Sequence, residues 1–185
     1  MHVLVAFASR HGSTREIAES IGVKLREAGH TVDVHEAVDR AVAHAYDAVI
    51  LGSGVYIGSW LEGASGFVSR NLAALAMRPV WLFSVGSLSS AQGWPWGSLA
   101  QREPRDIENL LQTIHPLDYH VFRGVVDSRQ LPLLGRAVYF LLNGRLGDYR
   151  DWREIDAWAD RIVSELADSD RQLAEVTLSA LVRGG

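Results

Sequence analysis

Residues 9 to 14, Ser-Arg-His-Gly-Ser-Thr, crowd three hydroxyls, a histidine and a glycine into one short stretch. Those residue types suit the binding of an anion, because small hydroxyls and closely spaced backbone amides can point at the same oxygens. The flanks decide whether the amides converge. Val3 to Phe7 is an unbroken apolar run of the kind a strand buried on both faces requires, while Ile17, Ile21, Leu25 and Ala28 recur at helical spacing. The polar stretch therefore joins a strand to an amphipathic helix, and its amides lie at the helix's positive end, where phosphate is stabilised. Ser9, Arg10, His11, Gly12, Ser13 and Thr14 are the candidate phosphate-binding residues. A serine and a threonine at a helix start can equally serve as plain caps, and a loop histidine can be merely solvated.

Two other phosphate motifs are excluded by the same residues. No Gly-Lys-Ser/Thr ends the loop, so a triphosphate P-loop lacks its lysine and its magnesium hydroxyl. The stretch Gly52 to Gly58 suggests a dinucleotide fingerprint, but its spacing is one residue too long and it follows the third expected strand. A receiver domain of the same topology needs clustered carboxylates after the first strand, where this chain has Ser9, Arg10 and His11.

The whole chain bounds the remaining options. Its 185 residues suffice for one domain, and a chain of this size buries about 70% of its unfolded surface. No stretch approaches the roughly 20 apolar residues of a membrane span, and no export signal is evident, so the expected compartment is the cytoplasm. With no cysteine, disulfides, thiolate zinc sites and cysteine-held iron-sulfur clusters are excluded. The seven histidines show no paired metal spacing, and no metal site is expected. A net charge of −4 opposes general nucleic-acid binding, and it is too small for the strong acidity that steers freely diffusing electron shuttles.

Strand and helix patterns alternate along the chain, which predicts an α/β domain with a parallel sheet covered on both faces. Strands are expected at about 2–8, 31–35, 47–52, 79–85 and 120–127. Helices are expected at about 14–28, stopped by Gly29, then 61–75, 104–114 and 152–166. Residues 1–168 make up the domain, with an inserted apolar segment at 129–147. Residues 169–185 form a tail whose Leu173, Val176, Ala180 and Leu181 recur at helical spacing.

The pattern Ser9-x-x-Gly12-x-Thr14 followed by Ala18 and Ile21 resembles the FMN-phosphate signature of the flavodoxin family, with Ala6 where the family usually has a larger apolar residue. The resemblance covers about residues 1–166. It implies a doubly wound five-stranded parallel sheet of order 2-1-3-4-5, FMN as cofactor, and a site beyond the carboxyl ends of the strands. Besides the phosphate loop, the implied flavin contacts are Ser53, Gly54, Val55, Tyr56, Ile57, Gly58 and Trp60, then Ser84, Val85, Gly86, Ser87 and Ser89. Gly54 and Gly58 let backbone approach a flat ring, and Tyr56 and Trp60 offer flat surfaces, although either aromatic can also be an ordinary packed side chain. Trp94 and Trp96, further along the third loop, can cover a flavin, close over a substrate or pack the loop down.

Two shorter stretches resemble the flavodoxin-type protoporphyrinogen oxidases that pass electrons to menaquinone. One is Gly52 to Val68, with Val55, Gly58, Trp60 and Phe67-Val68. The other is Leu131 to Leu146 followed by Asp151-Trp152. Tyr56 stands where that branch has a basic residue. Arg129, Arg136 and Asn143 fall seven apart and form a polar stripe on an apolar segment, which can dock peripherally on the inner face of a membrane, line a quinone channel, or pack on the sheet or a homodimer partner. The implied function is an FMN-dependent oxidoreductase passing electrons from a small donor to a quinone-like or porphyrinogen substrate. The alternatives are an electron carrier serving a protein redox partner, and an interaction domain without flavin. No catalytic acid or base is identified.

Overall fold

The computed structural model describes residues 1–37, 42–56, 59–86, 111–126 and 146–183, the stretch 172–183 as backbone only. The strands are β1 (His2–Ala8), β2 (Thr31–Glu36), β3 (Ala48–Tyr56), β4 (Ser59–Trp60), β5 (Val80–Gly86), β6 (Asp118–Arg123), β7 (Val125–Val126) and β8 (Gly147–Asp148). The helices are α1 (Ser13–Glu27), α2 (Glu62–Leu75) and α3 (Trp152–Arg183). Five strands pair in parallel in the order β2-β1-β3-β5-β6, and β4 turns back against the end of β3. Because β4 is a short addition, this is the doubly wound order the family resemblance implies.

The core explains why β1 is apolar without alternation. Val3, Leu4, Val5 and Ala6 have no exposed surface. Val3, Val5 and Phe7 face Ile17, Ile21 and Leu25 of α1 and Ile155, Trp158 and Ile162 of α3, while Leu4, Ala6 and Ala8 face Phe67 and Val68 of α2. Two helical layers thus claim alternate residues of one strand. On the α3 side, Phe83, Phe122 and Trp158 meet edge to face at 5.5 to 5.9 Å. The indole nitrogens of Trp158 and Trp81 donate to Asp118 and Glu165, each at 2.7 Å, so large rings are buried without stranding a polar atom.

Boundaries differ from the sequence expectation where tertiary contacts intervene. α1 ends as expected at Gly29, whose φ of 92° permits the closing bonds Gly29 N–H to Arg26 O and His30 N–H to Leu25 O. β3 runs on to Tyr56 because Val55 and Tyr56 pair with Trp60 and Ser59. β6 begins at Asp118 and ends at Arg123; Gly124 then donates to the Gly86 carbonyl, and the chain passes into the β7–β8 ribbon. The expected helix at 104–114 is described only at 111–114, where it is helical. Asp151 caps α3 by accepting from the amides of Arg153 and Glu154, and the helix continues to Arg183 where periodicity predicts an end at Leu166. The apolar segment 129–147 and the pair Trp94 and Trp96 lie outside the described residues, apart from Leu146 and Gly147. Among the described residues, no helix is long and apolar enough to cross a membrane.

One close approach is set by glycine. Gly52 of β3 lies opposite Phe83 of β5, and a Cβ at Gly52 would fall 1.9 Å from the tip of the Phe83 ring. Gly52→Ala must displace that ring from the aromatic cluster, and it is expected to cost about 1 to 3 kcal/mol of overpacking. A urea melt that shows the variant as stable as the native protein would remove this account of Gly52.

Candidate functional site

Because β1, β3, β5 and β6 are parallel, the loops after Ala8, Tyr56, Gly86 and Arg123 leave from one edge of the sheet. The crevice where connections diverge lies beside β1, whose neighbours are β2 and β3. The loop of Ser9 to Gly12 fills it. Gly12 is the residue before α1, with φ 94°, in a left-handed conformation that costs other residues energy. The Ser9 hydroxyl accepts from the Gly12 amide at 3.0 Å, and the Gly12 carbonyl accepts the Glu16 amide at 3.0 Å. No side chain caps the helix. The reading of Ser9 and Thr14 as plain caps therefore fails, and the first-turn amides of Ser13, Thr14 and Arg15 have no acceptor within the helix.

Thr14 itself is buried, with 2% exposure. Ser53, Asn71 and Ser84 are the other buried polar side chains among the described residues, and each is satisfied. Ser53 accepts the Leu61 amide at 3.0 Å and donates to the Gly54 carbonyl. Asn71 bonds the Ala43 amide and the Phe67 carbonyl. Ser84 accepts from the Trp60 indole at 2.7 Å and lies 2.8 Å from the Tyr119 hydroxyl. The Thr14 hydroxyl has no such partner among the described residues. A Cβ at Gly54 would come within 3.3 Å of that hydroxyl, so the glycine keeps the space beside Thr14 free.

The structure brings some expected residues together and places others behind them. Arg10 lies over the ring of the half-exposed Tyr56, 4.6 Å from its centre, and joins the first loop to the second. Arg10 and His11 are exposed, and Ser9, Gly12, Ser13, Gly54, Val55 and Gly86 are partly buried. Trp60, Ser53, Ser84 and Val85 are buried: Trp60 packs in the core beside α2, and Val85 in the cluster beneath α1 and α3. Ile57, Gly58, Ser87 and Ser89 lie outside the described residues.

Sequence patterns missed a charged cluster against the same loop. Arg150 donates to Asp148 through Nε at 2.9 Å and Nη2 at 2.6 Å, and to Glu16 through Nη1 at 2.5 Å. Its guanidinium lies 4.7 Å from the centre of the Trp152 ring, and its side chain is only 9% exposed. The bonds to Asp148, then those to Glu16, raise the Arg150 pKa against the cost of burial, and Arg150 holds the Asp148 carboxyl below its ordinary value. Arg150 and Glu16 are 134 positions apart, so no local periodicity signals their pairing.

A family model described as a flavodoxin domain matches residues 4–148. The chain belongs to the flavodoxin-domain family. Members generally bind FMN, and membership makes this chain a flavin-type redox protein. Protoporphyrinogen IX dehydrogenase (quinone) of Escherichia coli K12 is 30% identical over 87 residues, which are 46% of this chain and 48% of the relative; two other strains give the same values. The chain thus matches about half the length of these curated relatives. An archaeal flavodoxin superposes with TM-score 0.57 at 15% identity, covering 90% of this chain and 99% of its own. Oxidised flavodoxin 2 from Bacillus cereus gives 0.54 at 20% identity over 91% and 99%. Rubredoxin oxygen:oxidoreductase from Desulfovibrio gigas gives 0.58 at 15%, over 90% of this chain but 36% of its own. At these identities the structural neighbours establish the fold. The residues of this flavodoxin domain fit the family's cofactor, since an uncapped helix start and an unpartnered buried hydroxyl meet at a glycine-cleared space.

The Asp148 carboxyl has a testable consequence for stability. Its folded pKa lies below the unfolded 3.8, so its contribution is complete above that value and is lost as pH falls through the folded pKa. Thermal melts between about pH 7 and about pH 3 should show the native protein losing stability more steeply on the acid side than Asp148→Asn. Parallel acid limbs would mean that Asp148 is not held by Arg150 in solution.

Proposed function

We propose that this flavodoxin-domain protein is an FMN-dependent oxidoreductase that passes electrons to a quinone-like acceptor. The observation that carries the reading is the Thr14 hydroxyl, buried and unpartnered beside the free amides of α1. Burial without a bond costs about 1 to 3 kcal/mol, a cost that a phosphate oxygen at the helix start would relieve. In this proposal Ser9, His11, Gly12, Ser13 and Thr14 hold the phosphate. The ring is received by Gly54 to Gly58 on one side and by Gly86, Ser87 and Ser89 on the other. Trp60, Ser53, Ser84 and Val85 support these loops from within, because their surfaces are already spent on the core and on each other. Arg10 and Tyr56 close the rim.

When bound, FMN supplies the electron-accepting and electron-donating chemistry that no side chain of this chain provides. The protein's part is to orient the group and exclude water. The quinone-like acceptor and a porphyrinogen as the oxidised substrate are favoured by the name of the E. coli relative and by the stretch Gly52 to Val68. A carrier that serves a protein redox partner is the second reading, favoured by the flavodoxins among the structural neighbours.

Quenching of FMN fluorescence on titration with flavin-free protein tests the cofactor, with riboflavin as the phosphate-free control. Tight FMN binding with weak riboflavin binding is expected; binding of neither ends the flavin reading. Thr14→Val keeps the shape but removes the hydroxyl, and it should weaken FMN by about 1 to 3 kcal/mol while leaving riboflavin unchanged. Porphyrin formation from a porphyrinogen with a menaquinone analogue then separates the oxidoreductase from a carrier that turns over slowly with every small acceptor.

A further inference from the structure

The first turn of α1 carries a carboxylate in an awkward place. Glu16 Oε1 lies 3.9 Å from the position of a Cβ on Gly12, so the side chain folds back along the phosphate loop. An acidic residue in a first helical turn is favourable for the helix. The same charge opposes any second anion held by the same amides. Asp148 adds another carboxylate a short distance away, bridged to Glu16 through Arg150. The nearby cations Arg10 and Arg15 are engaged elsewhere: Arg10 lies over Tyr56, and Arg15 pairs with Glu19 at 2.8 Å.

Arg150 is built to hold this balance. Asp148 grips two of its nitrogens, the Trp152 ring covers its guanidinium, and the remaining Nη1 reaches Glu16. It is fixed from the far side of the chain, on the segment that follows β8, and so it crosses from that segment to the start of α1. Removing it leaves two unpaired carboxylates beside the loop instead of a cluster of net charge −1.

We propose that Arg150 is a positioning residue for the flavin phosphate: it draws Glu16 aside and neutralises it, and so sets the preference for phosphorylated over unphosphorylated flavin. The inference rests on the FMN reading above and assigns the charge control of that site. Glu16 is the residue Arg150 acts through, and the phosphate is the group that feels the result.

Dissociation constants for FMN and riboflavin, measured by flavin fluorescence at low and high sodium chloride, test it in the native protein, Arg150→Met, Glu16→Gln and the double variant. Arg150→Met should weaken FMN about five- to tenfold, the scale of one nearby charge at a helix start, and riboflavin less than about twofold. The FMN defect should shrink in high salt, where charge repulsion is screened. Glu16→Gln should restore FMN binding in the double variant to near the native value. Arg150→Lys keeps the charge without the fork and should keep the FMN-to-riboflavin ratio near native, which preserves the test if Arg150→Met does not fold by circular dichroism. Equal losses for both flavins, a defect that Glu16→Gln does not repair, or a ratio that collapses in Arg150→Lys would each reduce Arg150 to a structural strut and overturn the proposal. Native protein that binds neither flavin would instead overturn the FMN reading itself.

Discussion

β1 is flanked by β2 and β3, and both of its faces are closed by helices. That placement requires a strand without polar side chains over its whole buried length, and Val3 to Ala6 meet the requirement with no exposed surface. It also forces the next residues into the crevice where the connections part, so the loop of Ser9 to Gly12 has little freedom in where it lies. The site inherits its position from the strand that cannot move. α1 then leaves the loop with Gly12 as its uncapped start, and Ile17, Ile21 and Leu25 anchor it against the same strand. The orientation of the amides follows from this packing rather than from a local bond at the helix end.

What lay in the sequence was the local half of this arrangement. The apolar run of β1, the periodicity of α1 and the glycine that ends it are each contained within a few residues, and their physical causes act over the same range. The phosphate loop was legible for that reason. The limits of β3 and β6 were not, because they depend on partners: Trp60 returning to Val55 extends one, and Asp118 meeting the Trp158 indole helps begin the other. The length of α3 escaped because a helix has no intrinsic stop at Leu166; nothing there resembles the glycine that closes α1.

The candidate site divides along the same line. Ser53, Trp60 and Ser84 have the residue types expected of ring contacts, yet each is buried and bonded within the protein, Ser53 to the Leu61 amide, and Trp60 with Ser84 to Tyr119. A sequence marks a small polar residue after a strand but not which way its hydroxyl turns, and that direction is settled by neighbours up to 35 positions away. These bonds fix the ends of β3 and β5 and thereby hold the loops that follow them. Thr14 differs because its neighbour Gly54 has no side chain to offer. Two glycines and one threonine thus produce a space, an unspent hydroxyl and a set of unspent amides.

An unspent helix start is attractive to every anion, including those the protein carries itself. Glu16 illustrates the conflict, since a charge that stabilises α1 in isolation competes for the field that makes the loop useful. The structure resolves this by pairing Glu16 with an arginine drawn from a segment far along the chain, and it keeps that arginine in place with a second carboxylate and an aromatic ring. Such an arrangement cannot arise from helix-forming preferences alone, which would be met by Glu16 without any partner. It follows instead from closing the domain, because the β7–β8 ribbon brings Asp148 and Arg150 to the loop edge as α3 packs against α1. The final helix therefore completes the core and the charge distribution of the site in the same step.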